Sequence, residues 1–425
     1  MQSLINLLPE CESISRMEDS TQVSSKWITS TLFEKAIASY KNEETIKIQD
    51  FIIETGFGEH LASTIFRCKI DFTSSNSENE TLHVVVKAHP TDTDGRATFE
   101  GPLFQNEIRM YTSTLPAFHQ LYERFGVKVD FAPELIYATF EPFPIIIIKD
   151  RNIDGYSTPR TPFEELEDSK MIIQRLSQFH AASYYLSEMD GIDFSEYSYS
   201  TYQNEALIYG LYSQPVKVFN EVLKTWDGYQ HFIPKIEAYM EQIGEIGRKS
   251  QTPNKPGIGY NVLNHGDLHI RNILVKFNSQ QRLQLFTFID YQLSIFGSPA
   301  IDINYISSLL KRDSNGDIPF EDVVVYYHQQ FAAALKSLGF LKEIPSLIDL
   351  NVELLRHGRT NVLMSIVFVP LLFVDWETMN FEDLMKTNEE SGEISWNFTE
   401  SIFSHPICKS ILQRHLISFE HKGWL

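Results

Sequence analysis

Cysteine is scarce in this chain: Cys11, Cys68 and Cys408 are the only three among 425 residues. An odd, widely spaced trio offers neither a disulfide framework nor a zinc cluster, so a reducing compartment, the cytoplasm, is the expected setting. Net positive charge is also lacking. Against 36 Lys and Arg stand 56 Asp and Glu, giving a formal net charge of −20. Such a surface repels phosphate backbones and anionic lipid, so nucleic acid and membrane surfaces are excluded as expected partners. No obligate protein partner is evident. Long apolar runs are missing too. The longest, residues 362–374, is interrupted by Ser365 and Pro370 and falls short of the roughly 20 residues of a bilayer span. It reads as a buried helix broken by proline. The start of the chain, Met1 to Glu10, has no basic end and no apolar stretch of a signal peptide.

What is present is globular. Hydrophobic residues make up 43% of the chain, enough to bury a sizeable core. Thr31 with Glu34 reads as a capping box opening a helix over 32–40. From Ile46 the pattern becomes extended. Thr64, Phe66, Cys68 and Ile70 alternate with Ile65, Arg67 and Lys69, which predicts a strand over 62–71. Residues 82–88 form a second, with Leu82, Val84 and Val86 on one face, and the small polar loop at 74–79 makes the two an antiparallel hairpin. Phe104, Ile108, Tyr111 and Leu115 recur at helical spacing, and 145–148 is an apolar run fit for a strand buried on both faces. Thr161-Pro162-Phe163-Glu164 signals a helix start. Beyond it most of the chain is helical in period, apart from 262–290. The pattern is α+β: a small antiparallel-sheet lobe with an N-terminal helical extension over 1–152, and a large, mainly helical lobe over 153–425.

The chemistry-bearing residues crowd into 264–302. His265-Gly266-Asp267-Leu268-His269-Ile270-Arg271-Asn272 puts an Asp and an Asn five apart on a loop, and an apolar strand over 285–289 ends in Asp290. This is the order of catalytic elements in a kinase. A first Asp orients an attacking hydroxyl and accepts its proton; an Asn and a second Asp hold magnesium against the phosphates. Phosphoryl transfer asks for oxygen ligands around a hard cation rather than covalent help. Asp267, Asn272 and Asp290 are the catalytic candidates, the last two also the metal ligands. Upstream elements arrive in the required order. Gly56 and Gly58, in a turn running to Ser63, can fold over phosphates; Lys87, in Val-Val-Val-Lys, can hold the α and β phosphates; Glu107, on the next helix, can pair with Lys87. ATP and Mg2+ are the expected cofactors, ATP lying between the lobes.

These segments resemble the ecdysteroid kinase-like group of the choline kinase and aminoglycoside phosphotransferase superfamily. The resemblance rests on Gly56-Phe57-Gly58-Glu59-His60-Leu61-Ala62-Ser63, Lys87, Phe104-Gln105-Asn106-Glu107 with Tyr111, and Leu176-Ser177-Gln178-Phe179-His180-Ala181-Ala182-Ser183. It continues through the loop 265–274, Ile289-Asp290-Tyr291-Gln292 and Ser298-Pro299-Ala300-Ile301-Asp302. It implies a two-lobed, protein-kinase-like fold and ATP-dependent phosphorylation of a small-molecule hydroxyl, on an ecdysteroid or other sterol-like alcohol. The end of the central strand, with Ile148 and Asp150, is where such enzymes read adenine by backbone groups; Lys149-Asp150 stands where relatives often carry Glu-Asp. A choline- or aminoglycoside-type polar acceptor is the alternative.

Two features set the chain apart from protein kinases. Gly266 stands where those place an arginine, and Asp290 is followed by Tyr291 and Gln292 instead of a glycine hinge. A rival reading takes His265, Asp267 and His269 as ligands of a transition metal in a hydrolase, since alternate residues of a strand face one way. It leaves Lys87, Glu107 and Asp290 without roles. In the kinase reading His265 braces the loop, His269 lies near the acceptor or packs, and His180 is a satisfied core residue. Tyr305, Tyr326, Tyr327, Phe368, Phe373 and Trp376 are aromatic enough for a sterol-sized pocket, or for an ordinary helical core.

Overall fold

The structure, a computed structural model, describes residues 25–54, 63–75, 78–88, 102–159, 163, 165–306, 312–313, 316–317, 320–374, 384–387 and 394–425. Gly56, Gly58, Trp376 and the residues Thr161, Pro162 and Glu164 lie outside them. The chain divides into two compact units: Met1–Phe99 with Pro133–Asp154, and Glu100–Ala132 with Gly155–Leu425.

The first unit is a five-stranded antiparallel sheet. Its strands are β1 (Lys47–Glu54), β2 (Thr64–Thr73), β3 (Asn79–Ala88), β4 (Leu135–Thr139) and β5 (Ile145–Lys149), in the order β1-β2-β3-β5-β4. The hairpin legible in the alternation forms with Phe66 opposite Val86 and Cys68 opposite Val84. Its apolar face buries Phe66, Cys68, Ile70 and Phe72 with Val84 and Val86. The helix Ser30–Lys41 covers that face with Phe33, Ala36 and Ile37. Phe33 is fully buried and meets Phe51 edge-on at 5.2 Å. The helix begins earlier than expected. Thr29, not Thr31, is the cap: its backbone is extended and its hydroxyl accepts the N–H of Leu32, the geometry a cap requires.

The second unit is mainly helical. The helix Leu166–Asp190 runs through it and carries Phe179 and His180 on its buried side. It starts later than the Thr161 signal. Asp168, in its first turn, is buried and accepts from Arg282 and from the N–H of Leu283, so a tertiary anchor sets the start. The helical stripe Phe104, Ile108, Tyr111 and Leu115 is buried, but a π turn, Met110–Thr114, joins Leu103–Arg109 to Leu115–Arg124. Sequence order places this segment in the first lobe; in space it groups with the second unit. There Phe118 meets Phe179 at 5.1 Å and Tyr122 donates to the carbonyl of Gln178. Residues 361–371 form the expected buried helix, with Pro370 in its last turn. Together with Glu205–Lys224 and Pro406–His421 it builds the large apolar core. Among the described residues no helix is long and apolar enough to cross a membrane.

Candidate active site

In the first unit the sheet's other face carries the nucleotide candidates. Cross-strand register aligns Ile65 with Lys87 and Ile146, and Arg67 with Val85 and Ile148. Because side chains alternate, Lys87 therefore shares a face with Ile65, Val85, Ile146 and Ile148. Lys87 and Ser63 are buried. Asp150 follows β5: its N–H donates to the carbonyl of His83, and its Oδ1 accepts the N–H of Asn152 at 2.9 Å. Arg67 Nε lies 3.8 Å from its Oδ2. The carboxylate is thus spent on closing the turn after the strand, which leaves backbone groups for any base recognition there.

The loop of the second unit is built by short-range strands. β6 (Val262–Asn264) pairs with β9 (Ile295–Gly297), and β7 (Ile273–Phe277) with β8 (Leu283–Phe288). The strand expected over 285–289 is this β8, two residues earlier at its start and ending one short. Asp267 leaves β6, and Asn272 closes a 3-10 turn just before β7. The N–H of Ile289 donates to the carbonyl of Asn272 at 3.0 Å. That bond draws together Asn272 and Asp290, which come from the two ends of the hairpin.

The amide of Asn272 donates from Nδ2 to the carbonyl of Asp267 at 2.9 Å and to its Oδ2 at 3.2 Å. With its nitrogen committed, Asn272 has Oδ1 as its remaining acceptor. Asp290 holds a left-handed backbone, φ 68° and ψ 64°, which costs a non-glycine residue about 1–2 kcal/mol. A carbonyl oxygen and a carboxylate brought together this way are the hard donors that magnesium takes. Beside them Tyr111 is buried, its hydroxyl pushed well up by burial first and then by the charges of Glu107, Asp290 and Asp130. Glu107 is itself buried.

Asp302 organises the loop from below. Its Oδ2 accepts the N–H of His265 at 2.7 Å and its Oδ1 that of Gly266 at 2.9 Å. His180 Nε2 donates to Oδ2 at 3.0 Å, which leaves Nδ1 to accept from the hydroxyl of Tyr327 at 2.6 Å. His180 is a satisfied core residue, and it also holds the carboxylate that holds the loop. Asp302 was legible as a motif residue but not in this role. A lone acid between Ile301 and Ile303, in the first turn of the helix Ala300–Ile306, is the sequence signal that points to it. Gly266 has φ +84°, and a Cβ there would stand 1.9 Å from the carbonyl oxygen of Leu293. An arginine cannot occupy that position.

The hydrolase cluster does not form. His265 is buried with Nε2 on the carbonyl of Ile289 at 2.9 Å, and desolvation pushes its pKa below the usual histidine value. It braces the loop. Among the described residues no group of three or more His, Cys, Asp or Glu side chains is placed to hold a metal. Asp267 is flanked instead by rings. Burial and then its charge push the hydroxyls of Tyr212 and Tyr305 upward. His269 stacks on Phe368, which meets Tyr305 at 6.0 Å.

Comparison with known proteins adds a family. The ecdysteroid kinase-like family model matches residues 57–340. Comparison with curated proteins found no significant match. Solved structures similar to the chain include a spectinomycin phosphotransferase with ADP and spectinomycin (12% identity, 80% of this chain and 89% of that one, TM-score 0.35). Another is a GDP complex of an aminoglycoside 2'-phosphotransferase (15%, 80% and 91%, 0.36). A third is an ethanolamine kinase of Plasmodium vivax (13%, 87% and 92%, 0.36).

Proposed function

The chain belongs to the ecdysteroid kinase-like family and is a small-molecule kinase, and we propose that it uses ATP to phosphorylate a hydroxyl of a sterol-like alcohol. The observation that carries this reading is the bond pair from Asn272 to Asp267, with Asn272 tied through Ile289 to Asp290. Asp267 would accept the proton of the acceptor hydroxyl. Asn272 and Asp290 would hold Mg2+, which when bound neutralises charge on the phosphates. Lys87, buried on the sheet face with Val85 and Ile148, would hold phosphates. Gly56, Gly58 and Ser63 would cover them.

The acceptor class is supported by what surrounds Asp267. Tyr212 and Tyr305 feel the charge of Asp267, and His269 beside it stacks on Phe368. Aromatic rings with hydroxyl tips suit a flat, apolar, hydroxylated molecule. A cationic choline or aminoglycoside would gain more from carboxylates. Cys68 is a free, buried thiol, which supports the proposed cytoplasmic setting. The test measures ADP release with ATP and Mg2+ over three panels: polyhydroxylated sterols, choline-type amines and aminoglycosides. Turnover with the sterols is expected. Turnover confined to a cationic panel would overturn the acceptor assignment.

A further inference from the structure

Asp267 has two carboxylate oxygens, and the structure treats them differently. Oδ2 receives the Asn272 amide at 3.2 Å. His269 Nε2 stands 3.6 Å from the same oxygen. The imidazole's tautomer is fixed by its other nitrogen, because Nδ1 accepts the backbone N–H of Arg271 at 3.2 Å. In the neutral ring the proton therefore sits on Nε2, directed by the ring's geometry toward the Asp267 side. The ring plane is held as well, stacked on Phe368 at 6.4 Å and 23°, and Phe368 is itself packed against the apolar core. Among the described residues no donor is placed on Oδ1.

We infer that His269 is a positioning residue for the base. With Asn272 it gathers two donors on Oδ2 of Asp267 and so presents Oδ1 as the atom that takes the acceptor's proton. This rests on the kinase reading above. In the step it serves, the acceptor O–H bond breaks with its proton passing to Oδ1. The acceptor oxygen bonds to the γ-phosphorus, and the bond from that phosphorus to the bridging oxygen breaks, its electron pair leaving with ADP. His269 touches none of these atoms. At 3.6 Å the contact is longer than a hydrogen bond, and it is expected to tighten when the acceptor hydroxyl occupies the other oxygen.

Two variants separate the donor from the ring. His269→Phe keeps a ring on Phe368 and loses the donor; His269→Gln loses the stack but carries an amide N–H where Nε2 stood. The phosphoryl transfer of the full chain is measured for both, with kcat and the KM for ATP taken separately and thermal unfolding as the control. The expected result is a drop in kcat of about tenfold for His269→Phe at unchanged KM for ATP, the size of one charge-assisted contact, with His269→Gln within about threefold of the parent. A His269→Phe enzyme with the parent's kcat would overturn the inference. So would equal losses in both variants, because the ring would then matter and the donor would not. An inactive parent protein would instead sink the kinase reading, so the two failures are distinguishable.

Discussion

Asp302 accepts the backbone N–H groups of both His265 and Gly266, so a single buried carboxylate fixes the two residues that precede Asp267. A third donor, His180 Nε2, meets the same group. Removing the carboxylate leaves two buried N–H groups and an imidazole without their acceptor, in a place water does not reach. Such a loss costs about 3–5 kcal/mol when one partner of a buried pair goes. Asp302→Ala is therefore expected to lower stability by roughly that amount in urea titration. Asp302→Asn, which keeps an acceptor oxygen, should fall in between. A stability loss under about 1 kcal/mol for Asp302→Ala would show that the loop is held by something else.

Gly266 gives a sharper geometric test. Its φ of +84° and the carbonyl of Leu293, 1.9 Å from where a Cβ would sit, act together. Gly266→Ala must move the loop or the backbone of Leu293. The expected outcome is a kcat reduced by at least about a hundredfold, since a misplacement near 1 Å has that scale, while nucleotide affinity stays within a few-fold. Steady-state kinetics and calorimetry on the same preparation check it.

Asp290 separates metal binding from chemistry. Replacing it with Ala removes one of the two proposed magnesium ligands. Titration calorimetry should show ATP affinity falling at least about tenfold in the presence of Mg2+ and changing little without it, one lost charge-assisted contact being of that size. Equal affinity for Mg2+-ATP in parent and variant would remove Asp290 from the metal site.

Cys68 carries a pH prediction for the first unit. Burial pushes its thiol up to about 12, with a smaller push from Glu54. A thiol whose folded pKa exceeds its unfolded value contributes stability that is fully present below about pH 9 and is lost as pH rises toward about 12. Alkylation at about pH 8, below the ordinary thiol pKa, should accordingly be slow in the folded protein and fast in urea, read by mass spectrometry at the Cys68 peptide. Rapid folded-state labelling there would mean the sheet face opens.

Local chemistry made much of this legible in the sequence. The hairpin of β2 and β3 follows from strict alternation, and Asp267, Asn272 and Asp290 are recognisable because a short loop and one strand carry all three. The cap slipped by two residues because Thr29 and Thr31 are equally good chemically; only the extended backbone at Thr29 decides between them. The grouping of 100–132 with the second unit was not legible, since it depends on Phe118 finding Phe179 and Tyr122 finding Gln178. Asp302 and His180 meet across 122 positions, and no periodicity encodes such a pairing. The turn of Gly56 and Gly58 stays an expectation, outside the described residues.

Every role proposed for the site presupposes that Asp267 is the base of a phosphoryl transfer to a small hydroxyl compound. The decisive comparison sets the parent beside Asp267→Asn, following acceptor-dependent ADP formation alongside ATP binding. Transfer should fall at least about a thousandfold, within the range that positioned base catalysis supplies, with ATP affinity nearly unchanged. Full acceptor-dependent turnover in Asp267→Asn would contradict that role.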